Sequence, residues 1–545
     1  MDGLFLFLFR LLSHQCIVLG GFIILAWSLL FVAKIVFHPL RDIPGPLWAR
    51  FSRVWYLRTV NKGHFEKRNI ALHRAHGANT AFSIILKPVF AAYAYFISVG
   101  PIVRIAPGQY SLDDAGAVRI IYSPSSSFIK APWYSASSNP NPESHDLFTD
   151  RDSRRHSANR RKVASLYSMT RLVQMESCVT ECTALLMERL TRFCVSGEPF
   201  NLQRWMQYYA FDVIGLITVN KRFGFLDNAT DQNSLIASLH YYLVYAANVG
   251  IYAEWHPIIA RIMAFLPASG IKHLQSFTAQ QISEGKKNFL KTQKPQSSSE
   301  SFLQTLIRLN TQNPDKFSLA DIFTTCITNI GAGSDTTSIS LTAILYNLLK
   351  HPNVYQKLHE EIKQADNQGK LSSPAISFRE SQSLPYFQAC VKEGLRLHPA
   401  TGLPLSRVVP KGGATLCGRF FPQGEIVGVN AWVIHRNKSI YGMDADFYRP
   451  ERWIESPERS SEMERNFLAR GRQFGAGART CIGKNISLME IGKLIPELIR
   501  RFDFELVDEG VPLDTQNVWF VKQTNIQCRV RLRGKGKNPS NDRGC

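Results

Sequence analysis

The ten cysteines of this 545-residue chain include no CxxC pair. Free thiols in a reducing compartment are therefore expected rather than a disulfide framework. Zinc-finger spacing, a basic helical stripe and any recognised nucleic-acid module are also missing, which argues against a nucleic-acid partner. No internal repeat is evident. Acidic residues are in the minority, 43 against 64 basic, leaving a formal charge of +21. Such a field favours anionic membrane surfaces or acidic partners. Hydrophobic residues make up 45% of the chain, an ordinary globular composition able to bury a large core.

Charge is wholly missing from Asp, Glu, Lys and Arg positions in residues 11–33, whose core reads IVLGGFIILAWSLLFVA. A run of 23 such residues is long enough to cross the hydrocarbon as one helix. It is longer than the apolar region of a cleaved signal peptide, and no small-x-small cleavage site follows it. Lys34, Arg41, Arg50, Arg53 and Arg58 lie beyond the run and only Arg10 before it. The positive-inside rule then places the large C-terminal part in the cytoplasm. Residues 1–37 are expected to form a single N-terminal transmembrane anchor. Residues 38–50, with Pro39, Pro44 and Pro46, read as a stiff linker, 51–532 as the main domain and 533–545 as a basic polar tail.

The middle of the chain is rich in helical patterns such as VTECTALLMERLTRFCV and YYAFDVIGLITVN. Strand-like runs are short and scattered, including PIVRIAP and EIVGVNAWVI. The expected class is mainly α with small β-sheets. Residues 135–152 and 291–300 read as polar surface loops. Ser318 and Asp321 have capping-box spacing and open a helical pattern running to Pro352. At its centre GAGSDTTS puts Asp335, Thr336 and Thr337 where a buried helix normally carries apolar groups. A second helix carries Glu393 and Arg396 on one face, and FYRPERW downstream offers Arg452. A carboxylate held between two guanidinium groups would tie that helix to a loop.

The richest stretch is RQFGAGARTCIGKNISLMEIGKLIPELI. Glycines 475, 477 and 483 bracket Cys481 and permit tight turns and the close approach of a flat ligand. Helical periodicity starts just after the cysteine, so backbone N–H groups at the junction favour a thiolate. One thiolate is too few for a zinc or iron–sulfur site but suffices as the axial ligand of haem.

FGAGARTCIG resembles the cysteine loop of the cytochrome P450 family, AGSDTT its oxygen-activation motif, KEGLR its ExxR pair and FYRPERW the element that follows. All four stand in the family's order, and the resemblance covers roughly residues 39–532. LRLHPATGLPLSRVVPKGG, CGRFFPQG and VNAWVIHRN resemble fungal microsomal members, especially the pisatin demethylase-like group. The resemblance implies the cytochrome P450 fold and haem b, iron protoporphyrin IX, with Cys481 as axial thiolate. It implies that Phe474 packs beneath the ligand loop, and that Arg479, Arg407 and Arg160 hold the haem propionates. In HSANR, His156 replaces a tryptophan that often precedes the arginine by four. Asp335 and Thr336 resemble the pair that manages protons during dioxygen activation. Glu393, Arg396 and Arg452 would form the structural network.

The implied reaction inserts one atom of dioxygen into an apolar small molecule, in fungal secondary metabolism or detoxification. No flavin or ferredoxin pattern is evident, so electrons would come from NADPH through a separate cytochrome P450 reductase, with cytochrome b5 as a further donor. Arg470, Arg472 and Lys484 are candidates for meeting an acidic reductase face. The implied location is the endoplasmic reticulum membrane, single-pass, with the domain facing the cytoplasm. A haem-thiolate isomerase or dehydratase is the alternative, and a non-catalytic haem sensor a third. The alternative enzyme needs no proton pair, so Asp335 and Thr336 argue against it.

One segment breaks the pattern. Family members run from LHxxYG directly into PxVRIAP, whereas here LHRAHG and PIVRIAP are separated by residues 78–100, ANTAFSIILKPVFAAYAYFISVG. Deleting them joins Gly77 to Pro101 without a gap. The favoured reading is a translated, retained intron, and the other a membrane-contacting hairpin turned at Pro88.

Overall fold

A computed structural model describes residues 36–76, 101–138, 145–264, 270–292, 300–466 and 474–534, together with five positions between 19 and 26. Of the expected anchor, only Leu19, Gly21, Phe22, Leu25 and Ala26 are described, all helical and exposed. The rest of that segment, the insertion 78–100, Arg470, Arg472 and nearly all of the tail lie outside the described residues.

Helices dominate, as the periodicity predicts. The labelled ones are α1 (Phe65–His76), α2 (Ser153–Val163), α3 (Glu176–Ser196), α4 (Leu202–Val219), α5 (Leu235–Val249), α6 (Gly270–Thr292), α7 (Leu319–Lys350), α8 (Pro385–Leu397) and α9 (Lys484–Arg501). The 32-residue α7 is the central rod, and Ser318 and Asp321 form the expected capping box at its start. Its glycines do not break it. A Cβ on Gly333 would stand 2.9 Å from Ile214 Cγ1, so the missing side chain lets α4 approach closely. Thr337 Oγ1 and Ser487 Oγ, 2.8 Å apart, tie α7 to α9.

The sheets are small. In the largest, β1 (Ile102–Ala106), β2 (Gln109–Leu112), β3 (Ile129–Lys130), β4 (Arg407–Val408) and β5 (Ile426–Val429) run in the order β1-β2-β5-β4-β3. Its β2–β5 pair is parallel and the others antiparallel. A hairpin, β6 (Asp514–Val518) and β7 (Phe520–Thr524), turns at Trp519. The run EIVGVNAWVI is a strand only as far as Val429. Asn430 then caps a helical turn, Ala431–Ile434, by accepting from the Trp432 N–H. Leu40 and Ile43, in the expected linker, are buried in the core beneath β1 and β2.

Residues 135–152 depart from the expected surface loop. Among its described residues Ala136, Thr149 and Asp150 are buried, and Phe148 accepts at its carbonyl from Lys130. The hydrophilic letters concealed a wall of the site. One described stretch, Gln232–Met263, is long and apolar enough to cross a membrane. It is kinked at Tyr252 and packs α5 into the core, so it belongs to the domain.

Candidate active site

Cys481 follows a short 3-10 turn, Gly477–Arg479, and precedes α9. Its backbone N–H donates to the Phe474 carbonyl at 2.6 Å, closing the loop on that residue. Gly475 and Gly477 have φ of +77° and +63°. At Gly477 a Cβ would also collide with the Tyr122 carbonyl, so only glycine fits. Gly483 differs: its φ is −80°, and its Cβ would meet only Cys481 Sγ, at 4.0 Å.

Cys481 is exposed as a residue, yet the surrounding protein desolvates its thiol. Burial pushes its thiol pKa up. The Gly483 and Lys484 N–H groups and the charges of Arg160 and Lys484 pull the other way. Burial outweighs them, so the helix start expected to favour a thiolate offsets only part of the rise.

Four cationic side chains gather beside this loop. Lys130 on β3 stands directly opposite Arg407 on β4, and both are buried. Lys130 Nζ lies 4.5 Å from the centre of the Tyr134 ring, and Arg407 Nη1 donates to Tyr134 Oη at 3.3 Å. Arg479 Nη1 donates to the Asp150 carbonyl at 2.6 Å, while its buried Nη2 has no partner. Burial, then the Arg407 charge, lowers the Arg479 pKa to about 10. Burial, Arg407 and Arg479 hold Lys130 well below its ordinary value. Arg160 is lowered by burial as well, with the Cys481 thiol opposing. The buried ring of His156 is pushed down to about 3 by burial and by Arg479, Lys130 and Arg160. Two described carboxylates act on Lys130: Asp146, which accepts from the Phe148 and Thr149 N–H groups at 2.8 Å and from the Thr149 hydroxyl, and Asp150, which Arg155 engages at 2.7 Å.

Like charges opposed across a strand pair are unfavourable unless an anion joins them. This set, with an orphaned guanidinium N–H, therefore fits a ligand carrying two carboxylates, as haem does. The structure brings Arg160, Arg407 and Arg479 together as expected. Lys130 was missed, because a single lysine in FIKAPWY carries no signal without the register that sets it against Arg407.

A cavity of about 910 Å³ lies between α5, α6, α7, residues 133–138 and 146–149, and the β6–β7 hairpin. Trp133, Phe148, Tyr242, Ile327, Trp519 and Phe520 give it aromatic and apolar walls, and Gly331 and Ala332 form its α7 side. Trp519 has a φ of +86°, unusual for a bulky residue. It stacks on Trp133 with ring centres 4.4 Å apart. One turn beyond Ala332, Thr336 Oγ1 donates to the Ala332 carbonyl at 2.8 Å. Asp335 is completely buried. It accepts from Gln207 Nε2 at 2.5 Å and lies 2.8 Å from Lys522 Nζ.

Glu393, Arg396 and Arg452 meet in the core. Arg396 donates to both oxygens of Glu393 at 2.8 Å, Arg452 Nε to Oε1 at 2.8 Å, and Trp453 Nε1 to Oε2 at 2.9 Å. Arg396 Nη1 continues to the carbonyls of His435 and Ala445, 2.6 Å each. Burial raises the Glu393 pKa, but Arg396 and Arg452 outweigh it and hold the carboxyl below its ordinary range.

The cytochrome P450 family model matches residues 91–528. The chain is 38% identical over 516 residues to a pisatin demethylase of Fusarium vanettenii, covering 92% of this chain and 90% of that protein. It is 34% identical over 542 residues to the cytochrome P450 monooxygenase gsfF of Penicillium aethiopicum, covering 96% and 99%. The monooxygenase mpaDE of Penicillium roqueforti is 33% identical over 519 residues, with 92% of this chain and 56% of that protein covered. Family membership implies monooxygenase chemistry, haem b on a cysteine thiolate, a reductase partner and membrane association. This chain belongs to the cytochrome P450 family.

Proposed function

We propose that the chain inserts one atom of dioxygen into an apolar, ring-bearing small molecule in fungal secondary metabolism or detoxification. The single observation carrying this reading is the juxtaposition of the Cys481 thiol with four cationic side chains, one of which, Arg479, keeps a buried guanidinium nitrogen without a partner. In this reading Cys481 is the axial thiolate, and Phe474 packs beneath it. Lys130, Arg407, Arg479 and Arg160 hold the two propionates. Haem, when bound, supplies reductive dioxygen activation.

The chain's own residues do the rest. Trp133, Phe148, Trp519 and Phe520 bind the substrate by apolar burial and exclude bulk water. Thr336 offers a hydroxyl one turn beyond the cavity's α7 wall, and Asp335 supplies the carboxylate that manages protons. Glu393, Arg396 and Arg452 keep α8 and the 441–453 segment in register under the site. The relatives named pisatin demethylase support oxidation of a small molecule of that kind.

Electrons come from NADPH through a separate reductase, with cytochrome b5 as a further donor, and Lys484 belongs to the face that meets it. Residues 11–33 anchor the chain in the endoplasmic reticulum membrane. The exposed apolar side chains Leu47, Trp48, Phe51, Trp255, Ile258 and Ile262 support contact with the bilayer. Arg53 bridges the two groups, bonding Glu254 and the Ile251 carbonyl. The test is a substrate screen with the reconstituted reductase under labelled dioxygen, read by mass spectrometry. An NADPH-dependent product carrying one labelled oxygen, or a demethylated product formed together with formaldehyde, supports the reading. A rearranged or dehydrated product without label, formed without NADPH, would replace it with the isomerase reading.

A further inference from the structure

The hairpin that walls the cavity also reaches the acid of the proton pair. Trp519 and Phe520 face the cavity, and two residues further along β7 Lys522 places its ammonium 2.8 Å from Asp335 Oδ2. Oδ1 of the same carboxylate accepts from Gln207 on α4. Oδ2 has the ammonium at ion-pair distance but no aligned hydrogen bond, so it keeps accepting capacity while completely buried. The hairpin is fixed on both sides of this contact. Gln523 Nε2 donates to the Ile339 carbonyl on α7 at 3.0 Å, and Val521 N–H to the Ala400 carbonyl at 2.8 Å. The other titratable group facing the pair is the half-buried His240 on α5. Burial lowers its pKa, the Lys522 charge lowers it further and Asp335 raises it.

We propose that Lys522 is a positioning residue for Asp335. It holds the carboxylate in one orientation between α4 and β7, so the hairpin that shapes the substrate cavity also sets the proton-managing acid. A buried carboxylate needs a countercharge, and Lys522 is the cation placed to supply it. A neutral residue at 522 frees Oδ2 and releases that orientation. Arginine at 522 keeps the charge and the reach. The proposal rests on the reading of Asp335 as the acid that acts with Thr336.

The test uses the full-length, haem-loaded protein with NADPH and a separate reductase, without added substrate. Lys522→Met lowers the NADPH oxidation rate about ten-fold and raises its solvent deuterium isotope effect, as does Asp335→Asn, and the double variant is no slower than the slower single one. Lys522→Arg stays close to the parent. A second readout is independent of turnover: the infrared C–O stretch of the carbon monoxide complex shifts in Lys522→Met and returns in Lys522→Arg. Parent values in Lys522→Met, or effects that multiply in the double variant, overturn the proposal. If Asp335→Asn alone leaves both readouts unchanged, the proton-pair reading fails and this proposal falls with it.

Discussion

Lys130 stands opposite Arg407 across a two-residue strand pair, with both side chains buried. Asp146 and Asp150 are the described carboxylates that act on Lys130, and Asp150 is already engaged by Arg155, so the cationic set suits a further anion. Lys130→Met should therefore speed haem release about ten-fold, the loss of one charge-assisted hydrogen bond. In the haem-free protein the effect has the other sign. The Lys130 pKa is lowered on folding, so the unfolded chain binds more protons and stability rises with pH towards the ordinary lysine value. Lys130→Met should flatten that rise, as measured by thermal midpoint against pH. An unchanged slope and an unchanged release rate would remove Lys130 from the site.

Glu393 serves two guanidinium groups and the Trp453 N–H at once. Glu393→Ala leaves Arg396 and Arg452 buried without their carboxylate and should cost about 3–5 kcal/mol, enough to abolish most haem-loaded protein. Glu393→Gln should fall between, since it keeps the shape and loses the charge. A thermal midpoint and haem content equal to the parent in Glu393→Ala would contradict the network.

His398 is buried, pairs through Nε2 with the Val521 carbonyl at 2.9 Å, and is pushed down to about 4, chiefly by burial. Its unfolded value is ordinary, about 6.5. The unfolded state therefore binds more protons between those values, and stability falls as pH drops from about 6.5 towards 4. In His398→Gln the loss of thermal midpoint over that interval should be smaller than in the parent. A curve parallel to the parent's would show that the ring titrates normally.

The parts of the site carried by local chemistry were legible in the sequence. Cys481 stood out by its glycines and the helix after it, and Glu393 and Arg396 by their spacing. Ser318 and Asp321 announced α7. What pairing creates was not legible: Lys130 acquires meaning only from its register with Arg407, and Lys522 only from a hairpin that returns to α7. The polar letters of 135–152 misled because their apolar members, Phe148 above all, face inward. AWVI read as strand by composition, yet Asn430 at its head turned it into a helix.

We propose that residues 78–100 are dispensable, as expected of a retained intron. The helix before the segment and the strand pair after it are in contact. His73, in the last turns of α1, bonds Ser111 Oγ at 2.9 Å, Ser111 pairs with Val103, and the Asp113 N–H donates to the Pro101 carbonyl at 2.8 Å. A protein with Gly77 joined to Pro101 should load haem at least as well as the full chain and aggregate less. A deleted form that fails to bind haem, or a transcript population that always contains the segment, would speak for a genuine insertion.

The most direct measurement is the spectrum of the ferrous carbon monoxide complex in the parent and in Cys481→Ala. The account predicts a thiolate-type, red-shifted Soret band in the parent and none in the variant. A normal thiolate-type band in Cys481→Ala would contradict it, because the iron ligand would then be another residue.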